Sequence, residues 1–190
     1  MIASETVEDT RALVHRIRND LQLVSSIIHA EMSVASTDEA RAALSAMDRR
    51  MLAINLSYAG AEATHVHLPR YLRDLCQALG HSLGDCPDRS IGSVAARRLG
   101  MIAAEALGSA NRAAEVRLVS RENALHVDVT REKAEAARGT AVMADPWMTG
   151  ISRELVVDLL RQLGGHIIVD DATVLSFAIP DPPAAAAPGH

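Results

Sequence analysis

The chain has 190 residues, of which 48% are apolar and 2% aromatic, and its mean hydropathy is +0.07. These values predict a folded protein of one domain or two small ones, with a core of aliphatic side chains. The formal net charge of −5 leaves no basic surface for nucleic acid, and no polybasic run suggests a membrane surface. Because no signal-like start and no long apolar run is present, we expect a cytoplasmic protein whose cysteines, Cys76 and Cys86, are reduced and structural.

A long amphipathic helix is predicted from about Glu5 to about Val34. At about 100° per residue, one side of this helix is apolar and the opposite side is polar. The apolar stripe consists of Val14, Ile17, Leu21, Val24 and Ile28, and the polar cluster consists of His15, Arg18, Asn19, Gln22 and Ser26. The spacing therefore predicts that His15 faces water.

An exposed neutral imidazole is a nucleophile that can accept a phosphoryl group as a phosphoramidate. Asn19 lies one helical turn after His15, so its amide can reach the imidazole or the phosphoryl oxygens. Arg18 lies on the same side and can offset the incoming negative charge. Periodicity alone favours the simpler interpretation, in which His15 is an ordinary solvated residue.

A second helix is predicted to begin at a capping box, with Ser36 as N-cap and Glu39 three residues later. Its apolar residues alternate at spacings of four and three, which is typical of a helix-packing seam. This seam consists of Ala40, Leu44, Met47, Met51, Ile54 and Tyr58. The two helices are expected to form an antiparallel hairpin. Leu13, Leu23 and Ile27 then need a cover, which is either a second hairpin in a dimeric four-helix bundle or the C-terminal region folded back.

A change in composition after Gly60 predicts a domain boundary near residue 62, so the expected units are residues 1–61, residues 62–180 and a disordered tail at 181–190. The histidine pair His65 and His67 has no accompanying metal-ligand pattern. The predicted elements are an extended piece at 65–68, helices at 71–83, 94–114 and 149–163, and strands at 89–93, 116–119, 124–129, 166–170 and 173–179. This order predicts an α+β fold, in which the helical hairpin precedes an α/β sandwich with helices on one face of a mixed sheet.

The run His15-Arg16-Ile17-Arg18-Asn19-Asp20-Leu21-Gln22 resembles the His-Arg-x-Lys-Asn-x-Leu-Gln signature of one branch of bacterial sensor histidine kinases. This resemblance implies that His15 is the phosphorylated residue and that the hairpin dimerises. The second unit is similar to the ATP-binding body of these kinases. In that comparison the stretch 99–107 resembles the helix with the nucleotide and Mg²⁺ ligands, and 162–167 resembles the segment that follows the last helix.

Several features of the kinase body are missing from this sequence. Ser109 stands where the family has an asparagine for Mg²⁺, and Asn111 comes two residues later, about 200° further around the helix. The stretch Thr130–Ala134 replaces the family's glycine-containing adenine motif, and only Gly150 remains of the glycine-rich loop before the last helix. Together these changes predict that the chain binds no ATP and no other cofactor.

A phosphoacceptor hairpin joined to a degenerate body resembles the dimeric histidine phosphotransferases of bacterial phosphorelays. We therefore expect a phosphotransferase that passes phosphate between receiver-domain aspartates through His15, with Mg²⁺ supplied by the receiver. Arg18 and Asn19 are expected to orient the phosphoryl group, and Arg16 and Gln22 to contact the partner. The expected partners are a second copy, response regulator receivers and a hybrid sensor kinase. Two alternatives stay open: a divergent ATP-dependent sensor kinase and a non-enzymatic adaptor that binds receivers.

Overall fold

The structure is a computed structural model, and it describes residues 2–58, 64–110, 113–131, 151–168 and 175–180. The helices are α1 (Ile2–Val34), α2 (Asp38–Ser57), α3 (Leu68–Ala78), α4 (Ser93–Gly108) and α5 (Ile151–Gln162). The strands are β1 (His65–His67), β2 (Ser82–Leu83), β3 (Ser90–Gly92), β4 (Ala114–Arg121), β5 (Ala124–Arg131), β6 (His166–Ile168) and β7 (Leu175–Pro180).

The antiparallel hairpin of α1 and α2 forms as predicted, but the second helix has a different cap. Thr37 is the N-cap of α2, because its backbone is extended and its hydroxyl accepts a hydrogen bond from the Ala40 amide at 3.1 Å. The prediction of Ser36 as N-cap was wrong by one residue. Farther along, Ser25 and His29 of α1 both bond to Asp48 of α2, at 2.7 and 3.0 Å, which fixes how the helices align.

The apolar stripe of α1 is only partly buried. Val14 and Ile28 are buried, whereas Val24 keeps 40% of its surface exposed. The predicted seam of α2 is also incomplete, because Met47 is 47% exposed. The residues of α2 that are fully enclosed are Ala53 and Ser57, which are not part of the predicted seam. The enclosed residues of α2 differ from the predicted seam because α2 packs against α1 on one side and against α4 on another.

The third helix ends earlier than predicted. Gly80 adopts φ +77°, and the amides of Gly80 and His81 bond back to the carbonyls of Gln77 and Cys76. This pair of bonds is a Schellman cap, which ends a helix through a residue in the left-handed region. The predicted end at Gly84 was wrong, and the residues released from the helix form β2 beside β4.

A five-stranded mixed sheet forms the centre of the second unit, in the order β2-β4-β5-β7-β6. Only β2 and β4 are parallel; the other neighbours are antiparallel. The turn between β4 and β5 has φ of 51° at Glu122 and 63° at Asn123, which is typical of a type I′ hairpin. Alternate residues of the strands are buried in one core with α3, α4 and α5, including Val116, Val127 and Phe177. The predicted α+β fold is confirmed.

Two other boundaries differ from the prediction. The helix expected to reach Ala114 ends at Gly108, and β4 begins at Ala114 itself. The short strands β1 and β3 pair with each other in a separate sheet, with Val66 opposite buried Ile91. The predictions for the boundary near 62, for Asn111, for the loop after Arg131, for Gly150 and for the tail from 181 concern positions outside the described residues.

His81 links the end of α3 to the first residue of β4, because its Nδ1 accepts the Ala114 amide at 3.1 Å. Burial lowers the pKa of His81, and a hydrogen bond with the Leu107 backbone opposes this effect more weakly. A histidine whose pKa is lower in the folded state stabilises the fold above its unfolded pKa, about 6.5. We therefore expect the free energy of unfolding to fall as the pH drops from about 6.5 through the lower pKa of the folded state.

Denaturant melts of the wild type and His81→Gln at pH 7.5 and pH 5 measure this effect. The pH-dependent loss should be smaller in the variant, because glutamine does not titrate in this range. His166, an exposed histidine on β6, provides the control substitution His166→Gln. An equal loss in all three proteins would contradict this role for His81.

Candidate functional site

His15 lies exposed on α1, as its spacing predicted. The height of His15 along the hairpin follows from the bonds of Ser25 and His29 to Asp48. Because the helices are antiparallel, each residue back along α1 corresponds to one forward along α2. This alignment places His15 level with the C-terminal end of α2, near its C-cap residue Tyr58.

Three of the predicted site residues lie close to His15 around the helix axis. Asn19, about 40° away, and Gln22, about 20° away, are both exposed. Arg18 is about 60° away on the side toward α2 and is half-buried. Its buried Nε has no hydrogen-bond partner among the described residues. The Nε itself is too enclosed to meet a ligand, but the positive charge of this half-buried side chain can offset an anion beside His15.

Arg16 points in a different direction from the other predicted site residues. It is exposed and lies about 100° around the helix from His15. At that angle it falls between Leu23 and Ile27, which are exposed apolar side chains. The structure therefore places Arg16 beside the apolar face of α1 and does not bring it together with Arg18 and Asn19.

The apolar face of α1, defined as Leu13, Leu23, Val24 and Ile27, is the clearest unpaired surface of the hairpin. These side chains are 40–61% exposed and span about 80° to 180° from His15. Met47 of α2 lies at the same height as Ile27 and is also exposed. The second unit, residues 62–180, is called the body below. Its described part packs on α2, so it leaves this face of α1 uncovered.

The side chains Ser25, His29 and Asp48 form a group that the sequence did not predict. The Asp48 carboxylate accepts the Ser25 hydroxyl at 2.7 Å and pairs with the His29 Nε2 at 3.0 Å. The polar spacing of Ser25 and His29 on α1 was visible in the sequence. Their common partner was not, because it depends on the alignment of α2. This group holds the two helices together about 15–21 Å from His15 along the helix axis.

The helix α4, which resembles the nucleotide helix of kinases, has its acidic residue enclosed. Glu105 is only 1% exposed, and its Oε1 accepts a hydrogen bond from Arg50 Nε at 2.6 Å. Ser109, which stands in place of the expected asparagine, turns its hydroxyl back to the Glu105 carbonyl at 3.0 Å. The pairing of Arg50 with Glu105 was missed by the sequence analysis, because the partners are far apart in the chain.

Other chemistries receive no support from the described residues. Burial raises the pKa of the Cys76 thiol to about 12 and that of Cys86 to about 11, so both thiols are neutral at pH 7 and poor nucleophiles. Within the described ranges, no group of three or more His, Cys, Asp or Glu side chains is arranged to hold a metal ion. The helices in these same ranges include none with the length and apolar character needed to span a bilayer.

A known family model, HisKA_2, described as histidine kinase, matches the segment that contains His15, the rest of α1 after it and all of α2. Residues 13–83 match histidine kinases. The resemblance based on the run from His15 to Gln22 is thereby confirmed. No curated protein sequence matches the chain.

Solved structures support the fold of the whole chain. The histidine kinase domain of the Erythrobacter litoralis EL346 blue-light activated histidine kinase has a TM-score of 0.55 at 20% identity, with 93% of this chain and 95% of that chain covered. A longer structure of the same kinase gives 0.56 at 20% identity, covering 90% of this chain and 62% of that one. A bacterial phosphotransferase covers 94% and 96% at 9% identity, but its TM-score of 0.42 is too low for a functional comparison. The similarity at 20% identity shows the histidine kinase fold.

Proposed function

We propose that the protein is a histidine phosphotransferase of a bacterial two-component phosphorelay, with His15 as the residue that carries the phosphoryl group. The main support is the exposed position of His15 within the segment that matches histidine kinases. Arg18 provides a positive charge close to it, and Asn19 provides an exposed amide. These groups suit a reaction that depends on positioning and charge neutralisation.

The proposed reaction is an in-line displacement at phosphorus. A ring nitrogen of His15 attacks the aspartyl phosphate of a receiver domain, and a phosphoramidate N–P bond forms. The bond between phosphorus and the aspartate oxygen breaks, so the receiver regains its carboxylate. Arg18 and Asn19 hold the transferring oxygens, while Gln22 contacts the receiver surface. The Mg²⁺ ion belongs to the acidic pocket of the receiver, and a second receiver removes the group by the reverse reaction.

Two contacts in the body support the proposal that the phosphoryl donor is not ATP. The Glu105 carboxylate is already paired with Arg50, and the Ser109 hydroxyl is bonded to the backbone of its own helix. Neither group is therefore available as it stands to hold a metal on nucleotide phosphates. This arrangement favours a phosphotransferase that binds no cofactor of its own.

A homodimer completes this proposal. The exposed apolar face of α1 needs a cover, and a second hairpin would bury it in a four-helix bundle. Arg16 lies beside this face, so we propose that it lies near the dimer interface and does not contact the receiver. His15 remains on the outer side of each copy, where a receiver can reach it.

The source of the phosphoryl group tests this function. We expect the protein to gain acid-labile label from a receiver domain carrying radiolabelled aspartyl phosphate, and to gain none from labelled ATP with Mg²⁺. Isothermal titration with Mg²⁺ and ATP should show no binding in the micromolar range. Labelling by ATP would instead establish the alternative of a sensor kinase, which the similarity to a kinase domain favours. A stable receiver complex without any label would favour the adaptor.

A further inference from the structure

The five-stranded sheet has a second face, opposite the one that packs on the helices. Val127 of β5 and Phe177 of β7 are buried in the core with the helices. Side chains alternate along a strand, so the sequence neighbours of these two residues point to the opposite face, called the outer face below. The outer face includes His126 of β5, Ala178 of β7 and His166 of β6.

The register of the sheet places the two histidines on either side of the alanine. His126 lies directly opposite Ala178, and Ala178 lies directly opposite His166. In antiparallel strands, opposite residues are about 5.5 Å apart at hydrogen-bonded positions and about 4.5 Å apart at the others, and a residue of a central strand has one neighbour of each kind. The Cα atoms of the two histidines are therefore about 10 Å apart, with only a methyl group between them.

Both imidazoles have ring nitrogens available for a ligand. His126 is half-buried and His166 is exposed. Within the described part of the chain, neither ring takes part in a hydrogen bond or an ion pair. The ring nitrogens can therefore bind a ligand without breaking an existing contact.

The histidine pair that is closest in the sequence does not share this property. His65 and His67 lie two apart on β1, but both ring nitrogens of His67 are engaged. Its Nε2 pairs with Asp88 at 2.8 Å, and its Nδ1 accepts the Arg70 amide at 3.4 Å. A ligand on His67 would have to break one of these bonds, so this pair is the weaker candidate.

We propose that His126 and His166 form a two-histidine site for a divalent ion of the Zn²⁺, Ni²⁺ or Cu²⁺ class. Imidazole nitrogen is a ligand that these ions prefer, whereas Mg²⁺ and Ca²⁺ prefer oxygen. Two metal–nitrogen bonds of about 2.1 Å each, with two imidazoles leaning over Ala178, span the distance between the strands. Water molecules complete the coordination, because a catalytic zinc site has three protein ligands and this site has two.

The charge of the outer face also favours a cation at this position. Asp128 follows His126 on the same face of β5, about 7 Å along the strand and within the Debye length of about 8 Å at physiological salt. Its Oδ1 accepts a hydrogen bond from Ser176 at 2.6 Å, which fixes the carboxylate. Arg117 lies opposite Asp128 on β4, but it is paired with Glu115 at 2.8 Å. These three charged side chains together carry a negative charge.

The bound ion would connect three strands at one edge of the sheet. β6 is the edge strand and pairs with β7 alone among the described strands, so a bond from His166 through the metal to His126 joins it to β5 as well. An ion that binds only the folded protein stabilises it. It takes no part in transfer at His15, so this inference is independent of the proposed function.

Isothermal titration of the metal-free full chain with Zn²⁺ at pH 7.5 tests the site, with Mg²⁺ as the comparison ion. His126→Gln and His166→Gln each remove one ligand. The matched control is His65→Gln, which removes an exposed histidine from another strand. Electron paramagnetic resonance of the protein with one equivalent of Cu²⁺ reports the number of nitrogen ligands, and circular dichroism checks the fold of each variant.

The wild type should bind Zn²⁺ and should show no heat of binding with Mg²⁺ at the same concentrations. Each ligand variant should bind Zn²⁺ at least about tenfold more weakly, because loss of even an outer-shell partner of a metal ligand costs about 10–100-fold in affinity. His65→Gln should match the wild type. The Cu²⁺ spectrum should show coupling to two nitrogen nuclei in the wild type and to one in either ligand variant.

Three results would overturn the inference. The first is a wild type that binds no Zn²⁺, and the second is an unchanged Zn²⁺ affinity in either His126→Gln or His166→Gln. The third is loss of binding in His65→Gln, which would assign the ion to the pair of His65 and His67. Because His166 is exposed, His166→Gln keeps the test decisive even if the half-buried His126 cannot be replaced without unfolding.

Discussion

Replacing His15 with glutamine should abolish acid-labile phosphorylation while leaving the fold and the oligomeric state unchanged. Glutamine has no nucleophilic ring nitrogen, so the phosphoramidate cannot form. The side chain is exposed, and exposed substitutions of this kind change the free energy of unfolding by about 0.5 kcal/mol or less. The measurement is the label transferred from a phosphorylated receiver, with circular dichroism and light scattering as checks on the protein.

His29 provides a matched control on the same helix. It is exposed and lies within about 40° of His15 around the axis, but about 21 Å farther along it. His29→Gln should therefore keep wild-type labelling, although it removes the bond to Asp48 and lowers stability slightly. Loss of label in His29→Gln together with retention in His15→Gln would move the acceptor to His29. Retention in both single variants would exclude His15 as the sole acceptor.

Local sequence rules predicted most of the elements of this chain. Period-3.6 spacing located the helices, and alternating residues around Glu122 and Asn123 located the hairpin of β4 and β5. Gly164, with φ +70°, closes α5 as its glycine predicted. The same rules misplaced the end of α3. They predicted that the helix ends at Gly84, whereas Gly80 is the glycine whose left-handed conformation ends it.

The site was predictable only as far as a single helix defines it. Exposure of His15 followed from the spacing on α1, and so did the directions of Asn19 and Gln22. The pairs that involve two helices did not follow, since Arg50 with Glu105 depends on which face of α2 meets the body. Exposure of Val24 could not be predicted for a similar reason: its neighbours on α1 are buried by α2, while Val24 itself lies just beyond that contact.

Introducing glutamate at both Leu23 and Ile27 should convert the expected dimer into a monomer. The two side chains are 61% and 53% exposed in one copy, so the change removes no buried contact within the chain. Burial of a Leu or Ile side chain contributes about 1.5–3 kcal/mol, and both copies would lose it. The dissociation constant should therefore rise at least about a thousandfold.

Light scattering or sedimentation distinguishes a mass near the 20.3 kDa of one chain from twice that value. The matched control is Val157→Glu, because Val157 is an exposed apolar residue on α5, away from the hairpin. It should leave the dimer intact. If wild type is itself a monomer, or if the double variant stays dimeric, the apolar face of α1 is not the dimer interface. In the first case the face needs a different cover, which is either another protein or a part of this chain outside the described residues, because the described body lies against α2 and leaves Leu23 and Ile27 in water.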